Sequence, residues 1–452
     1  MYREISKELL NFIEKSHSCF HAIEAIKEEL NNNGFEELLE SKAWILEKGK
    51  KYYVTRNLSS IIAFNIGEDL DNYSFNMIAS HSDSPVFKVK DNYEIEVGKN
   101  YIQLNTEKYG GMLHSTWMDR PLSVAGRLII KNGNKLVTKL VDVDRDLLLI
   151  PNVAIHMNKD ANSGMKYNEQ IDMLPLFGNS ENGKGTFLDV VADAAQVNKD
   201  DIVSNDLFLY NRMKPSVWGS KEEFISSPKL DDLQCAFTSL KAFVSSYNKK
   251  SVNVYCCFDN EEVGSQTKQG AQSTFLIDVL KRINEGLNKT KEDYFKALAS
   301  SFMISADNAH AVHPNHPEKS DPTNRVFMNE GVVIKYNANQ RYTTDGVSAA
   351  LFKTMCENVN VPYQSYTNRS DTPGGGTLGN VATTHVSVKM VDVGLAQLAM
   401  HSSYETAGIK DTYYMLKVME EFYNSHLEET NDGEIEISKN SLVDKGVKIW
   451  MN

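Results

Sequence analysis

From Lys229 to the C-terminus, strand-length apolar runs alternate with helical patterns, and this order limits the fold more than any other feature of the chain. A helix is predicted after Asp232, followed by the strand SVNVYCCF, a helix through STFLIDVLKRINEGL and the strand SSFMISAD. The helix GVSAALFKTMCENV, the strand VSVKMVDVG and a terminal helix near residues 406–426 complete the series. Such alternation predicts an α/β fold with helices on both faces of a sheet.

The N-terminal part fits the same plan. Apolar residues recur at helical spacing over residues 4–30, and NNNG at 31–34 supplies a stop. KAWILEKGKKYYVTRNLSSIIAFNIG reads as antiparallel strands, and SFNMIASHSDSP as a short buried strand with a polar end. Between about Asp91 and Ser226 the texture changes to short β-like runs separated by turns, with an Asn132-Gly133 hairpin signal and no long amphipathic helix before about residue 185. The expected organisation is a discontinuous α/β domain of residues 1–92 and 227–452, interrupted by a β-rich insertion at 93–226. A length of 452 residues, beyond what one core usually holds, agrees with that division.

Charge and cysteine content narrow the chemistry. Lys and Arg total 48 against 60 Asp and Glu, a net charge of -12, which argues against a nucleic-acid partner. The N-terminus does not read as a signal peptide and no apolar run is long enough for a bilayer, so no membrane partner and a cytoplasmic location are expected. The five cysteines are scattered without a CxxC pair, so any transition metal must be held by His and carboxylate. Cys256 and Cys257, inside an apolar run, read as small buried hydrophobes.

Those residue types stand beside the predicted strands. His81 and Asp83 follow FNMIAS, Asp231 and Asp232 open a helix, Glu261 and Glu262 follow VYCCF, Asp307 follows SFMIS, and His401 follows VGLAQLAM. Sites in open α/β sheets gather outside the carboxyl ends of strands. Taken singly, HSD reads as a turn or cap, KLDDL as an N-cap and NEEVG as a solvated loop. Together they describe a hydrolytic metal centre. Two metal ions need a bridging carboxylate and terminal ligands, and a further carboxylate must carry the proton of the attacking water. Adjacent residues in an extended segment point in opposite directions, so one of Glu261 and Glu262 can ligate while the other addresses water. In His81-x-Asp83 both side chains share a face, suiting a ligand histidine oriented by a carboxylate.

The motifs ASHSDSP, KLDDLQCAF, FDNEEVGS, SADNAHAVHPN and LAMHSSYETAG resemble the ordered zinc-site motifs of the aspartyl-aminopeptidase-type family of dinuclear zinc metallo-aminopeptidases. YGGMLHSTWMDRPLSVAGRL, NANQRYTTDGVSA and RSDTPGGGTLGN resemble further motifs of that family, so the match spans roughly residues 20–425. The resemblance implies a mixed-sheet catalytic domain carrying an inserted β-rich dimerisation domain. It makes Asp231 the bridging ligand, with His81 and Asp307 at one metal and Glu262 and His401 at the other. Glu261 becomes the general base and acid, and Asp83 the group behind His81. It further implies two zinc ions per subunit, release of the first residue from peptides with a free N-terminus through a metal-bridged hydroxide, and a homododecamer built from dimers. His156 matches a histidine that enters a neighbouring subunit's active site. Lys335 matches a position tied to recognition of acidic side chains, although neutral N-terminal residues also suit relatives of this kind. His/carboxylate sites accept cobalt or manganese as well as zinc. Two rival readings are a metal-dependent carboxypeptidase or deacylase and an inactive shell or cargo protein of the same fold. His310, His313 and His316 read as structural or pocket-lining residues.

Overall fold

The computed structural model describes residues 1–182 and 184–439. A nine-stranded mixed sheet runs through it in the order Glu36–Leu38, Lys51–Arg56, Ser60–Ile66, Val252–Phe258, Phe75–His81, Phe302–Ala306, Lys389–Gly394, Val332–Lys335, Tyr363–Tyr366. The four strands at its centre, from Val252–Phe258 to Lys389–Gly394, are mutually parallel, so their carboxyl ends share one edge. Phe258 lies opposite His81 in this register, which brings the chain before Glu261 next to the end of the Phe75–His81 strand.

These strands are mostly apolar because both faces are covered, with Asn76, Asn253, Ser305 and Asp392 as buried polar exceptions. Ile78, Tyr255, Cys257, Ile304 and Val391 point to one layer, where the helices Tyr2–Lys15, Cys19–Asn32, Leu230–Ser245, Gly346–Asn358 and Asp411–Tyr423 pack. Met77, Val254, Cys256, Met303 and Met390 point to the other, against Phe275–Gly286, Lys291–Ala299 and Leu378–Ala382. Burial of each such side chain contributes about 1.5–3 kcal/mol relative to exposure, so the site is built on the edge of a well-buried sheet.

A six-stranded antiparallel sheet occupies residues 86–211 and has a separate core of Phe87, Trp117, Leu122, Leu207 and Leu209, covered by the helix Thr186–Ala195. Its hairpin pairs Leu122–Asn132 with Lys135–Asp142, and the turn is centred on Gly133 and Asn134, one residue beyond the Asn132-Gly133 signal. Gly133 takes φ +59°, a conformation that glycine adopts without a Cβ clash. The junctions expected at 92/93 and 226/227 fall inside the strands Val86–Val97 and Phe224–Ser227. A smaller five-stranded sheet, which includes Ala396–Leu398 and Glu405–Gly408, presents the loop that carries His401.

Three local expectations differ from the structure. The helical region at 4–30 is two helices, separated at Ser16–Ser18, where the Ser18 hydroxyl caps the second by accepting from the His21 amide at 3.4 Å. The terminal helix begins at Asp411, because Glu405–Gly408 pairs with Phe224–Ser227 instead. Residues 43–47 form no strand. No helix among the described residues is long and apolar enough to cross a membrane.

Candidate metal centre

The carboxyl edge of the central sheet places His81 at a strand end, Asp307 one residue beyond Ala306, and Glu261 and Glu262 in a one-turn helix after Phe258. Asp231 and Asp232 stand at the start of Leu230–Ser245 with non-helical backbone angles, which turns their carboxylates into the crevice rather than along the helix face. His401 arrives from the small sheet at φ +66°.

Two groups of donors result. His81, Asp231, Asp232 and Asp307 offer ligand atoms within 4.8 Å of one another, and so do Asp231, Glu262 and His401. Asp231 belongs to both. His81 Nε2 lies 3.7 Å from Asp231 Oδ1, and His401 Nε2 lies 3.5 Å from Asp231 Oδ2 and 3.3 Å from Glu262 Oε2. A third grouping of His81, Glu261 and Glu262 meets the same 4.8 Å limit, so Glu261 sits against the cluster.

The cluster is held from behind by backbone hydrogen bonds. Asp83 accepts from the Glu261 amide through Oδ1 at 3.1 Å, from the Glu262 amide through Oδ2 at 3.2 Å, and from the Tyr109 hydroxyl at 2.6 Å. Its main-chain carbonyl is 3.0 Å from His81 Nδ1, closer than its carboxylate at 3.4 Å. The carbonyl is therefore the better acceptor for Nδ1–H, an assignment that leaves Nε2 free to face Asp231. Glu405 ties the two groups together: Oε1 accepts from the His401 amide at 2.7 Å and Oε2 from the Asp231 amide at 3.0 Å.

Electrostatics fit a cation here. Burial, partly offset by His81 and reinforced by Asp307, Asp83 and Asp231, pushes Glu261 up to about 8. Burial, followed by the Asp231 charge, drives Glu262 well above the usual carboxylate range. Asp231 is the exception, because burial is outweighed by the neighbouring His401 and His81, which hold it low. Asp231 Oδ1, Asp232 Oδ1 and Glu262 Oε1 are buried without a hydrogen-bond partner. Each such atom costs about 1–3 kcal/mol unless something satisfies it. Imidazole nitrogens and carboxylate oxygens, with no thiolate among them, suit zinc, so the residues present fit the metal.

The family sequence model for aminopeptidase I zinc metalloproteases (M18) matches residues 12–423. The chain belongs to the M18 aminopeptidase family. It is a zinc-dependent aminopeptidase, a peptide hydrolase, and the carboxypeptidase or deacylase reading is set aside. A probable M18 family aminopeptidase 2 of Clostridium novyi is 48% identical over 427 residues, covering 93% of this chain and 99% of the relative. A chain in the cryo-EM structure of the Ape4 and Nbr1 complex superposes with a TM-score of 0.90 at 35% identity, covering 93% of this chain and 86% of that one. The S. cerevesiae mApe1 dodecamer gives a TM-score of 0.82 at 27% identity, covering 93% of this chain and 97% of that one.

Within this M18 enzyme, His81, Asp231, Glu262, Asp307 and His401 converge, with Glu261 and Asp83 beside them. Lys335 is buried at the end of Val332–Lys335, and its Nζ lies 3.6 Å from Asp307 Oδ1. His156 stands in an exposed turn outside these clusters. Glu405 escaped the sequence reading because an acid after SSY resembles a loop charge, although it lies within the same motif as His401. Asp232 was named with Asp231 at the helix start but given no role of its own, because an acid at a helix start is accounted for by capping alone; it joins His81, Asp231 and Asp307 here.

Proposed function

We propose that the enzyme holds two zinc ions per subunit, one on His81, Asp307 and the shared Asp231, the other on Glu262, His401 and the same Asp231. The observation that carries this reading is the membership of Asp231 in both donor groups, with one oxygen toward each histidine. When bound, such ions polarise the scissile carbonyl and acidify the attacking water, and cobalt or manganese supply the same chemistry. Glu261 takes the proton of that water and delivers it to the departing amine. Asp83 fixes His81 and the backbone of both glutamates, so that Glu261 meets the reacting atoms without reorganising. The free N-terminal ammonium of a peptide complements the excess of carboxylates, which accounts for cleavage at terminal residues.

Metal removal tests the reading. Glu261 and Glu405 stand at about 8 against an ordinary 4.5, so the folded chain binds their protons more tightly than the unfolded chain does. Their contribution favours folding below pH 4.5 and erodes as pH rises toward 8. Chelator-stripped protein is therefore expected to lose Tm between pH 5 and 8, and two equivalents of zinc to restore both Tm and peptide hydrolysis. A pH-independent Tm, or full recovery with one equivalent, counts against the two-metal site.

Lys335 is proposed to favour acidic N-terminal residues, since a buried cation beside Asp307 pairs with a second carboxylate at little further cost. Lys335→Ala is expected to lower kcat/KM on Asp- and Glu-anilides about 10-fold more than on Leu-anilide, roughly the worth of one charge-assisted hydrogen bond. Equal losses on all three would leave Lys335 as the counter-ion of Asp307 only.

Assembly is proposed to follow the dodecamer of the mApe1 relative, built from dimers through the inserted domain at 93–226. His156 is then the residue that enters a neighbouring active site. Val153, Ile155 and Met157 around it are exposed, the composition of a surface that a partner covers. All five cysteines are unpaired, which supports a reducing, cytoplasmic location.

A further inference from the structure

The motif beginning at Tyr109 has no role in the scheme above, yet it touches the centre at four places. Tyr109 ends the strand Tyr101–Tyr109 of the antiparallel sheet. Its hydroxyl donates to Asp83 Oδ2 at 2.6 Å and accepts from Asn260 Nδ2 at 2.8 Å. Asp83 passes this contact on in two directions, through its carboxylate to the amides of Glu261 and Glu262 and through its carbonyl to His81 Nδ1. Asn260 precedes Glu261 at φ +62°, and its side-chain oxygen accepts from Thr267 Oγ1 at 2.7 Å and Gln269 Nε2 at 2.8 Å. The phenol oxygen is thus the point at which both supports of the glutamate pair meet.

The residues after Tyr109 press on the second donor group. Gly110, at φ +74°, lies so close that an added Cβ would stand 3.2 Å from Glu262 Cβ and 3.4 Å from its carbonyl oxygen. Leu113 donates its amide to the His401 carbonyl at 3.0 Å, and Thr116 Oγ1 accepts from the Ser403 amide at 2.9 Å. Glu262 and His401, the two residues not shared with the first group, are therefore both backed by this one segment of the antiparallel sheet.

We infer that Tyr109 is a positioning residue of the metal centre, acting through Asp83 to set the Glu261–Glu262 backbone; this rests on the two-metal reading. A purely structural tyrosine would act through its ring, which packs edge-on against Phe208 with centroids 6.0 Å apart. Tyr109→Phe keeps the ring and removes only the hydroxyl. Asp83, 4% exposed, then loses its shortest hydrogen bond, and Asn260 Nδ2 keeps only its longer one, to Asp259 Oδ1 at 3.3 Å. Groups that orient metal ligands from behind typically cost 10–100-fold in affinity or activity when removed, and one acting through a further residue belongs near the low end.

The test uses the full chain, stripped and titrated with Co(II) while visible absorption is followed, together with kcat and KM on Leu-anilide. Tyr109→Phe is expected to weaken the weaker Co(II) site about 10-fold and to lower kcat about 10-fold, with KM within about twofold of wild type. In an Asp83→Asn background the same substitution is expected to change kcat by less than about twofold, because the relay is already cut. Two intact sites and an unchanged kcat in Tyr109→Phe overturn the role of Tyr109 alone. Losses that multiply fully with Asp83→Asn overturn the relay. A wild-type protein that takes up one Co(II) only overturns the two-metal reading and this inference with it.

Discussion

Glu261→Gln is expected to retain its full metal content and to lose about 10²–10⁴ in kcat, the range that a positioned general acid and base supplies. Glutamine has the shape of glutamate, and the Glu261 amide that Asp83 holds at 3.1 Å is untouched by the change. The side chain sits against His81 and Glu262 but is outside both groups that contain Asp231, so its loss removes a proton carrier and leaves the proposed ligands in place. Burial and neighbouring carboxylates push this group up to about 8, so removing its charge also relieves repulsion in the cluster. The variant should be no less stable than wild type. Metal analysis by mass spectrometry beside anilide hydrolysis checks both halves. Activity within tenfold of wild type would end the assignment of Glu261, and loss of metal would move it among the ligands.

The sequence carried the sheet and its carboxyl edge well, for a physical reason. Strands covered on both faces read as near-continuous apolar runs, and SVNVYCCF, SSFMISAD and VSVKMVDVG announce themselves by that pattern. The acids and histidines that follow them then fall together through register, as Phe258 opposite His81 shows. Support from distant chain segments was less legible. The hydroxyl of Tyr109 reaches Asp83 across 26 positions, and Glu405 reaches the Asp231 amide across 174. Neither pairing leaves a local pattern, because one hydrogen bond imposes no periodicity. Asp83 shows the limit of period-two reasoning. Alternation placed it on the face of His81, but it could not tell that the carbonyl, rather than the carboxylate, lies nearer to Nδ1. Lys335 shows another, since a lysine at a strand end is exposed by default and is buried here beside Asp307 and the Tyr342 ring.

Glu262→Gln should fail in the opposite way from its neighbour. Glu262 Oε2 stands 3.3 Å from His401 Nε2, and Oε1 is buried with no partner, an arrangement that costs stability until a cation satisfies it. In the stripped protein the glutamine removes a charge that burial and Asp231 both oppose, so Tm is expected to rise slightly above stripped wild type. With zinc present the order reverses. Only one oxygen with weak donor strength remains beside His401, so the second ion binds at least about 10-fold more weakly, and the stabilisation that a ligand gives in proportion to ln(1 + [L]/Kd) shrinks with it. Thermal unfolding with and without zinc reads both signs in one pair of scans. Turnover should fall by at least about 10-fold at limiting zinc and recover in part at high zinc, a rescue unavailable to Glu261→Gln because its missing group carries protons rather than metal. A Glu262→Gln protein that is less stable when stripped and equally stabilised by zinc would show that Glu262 holds the fold and not the ion.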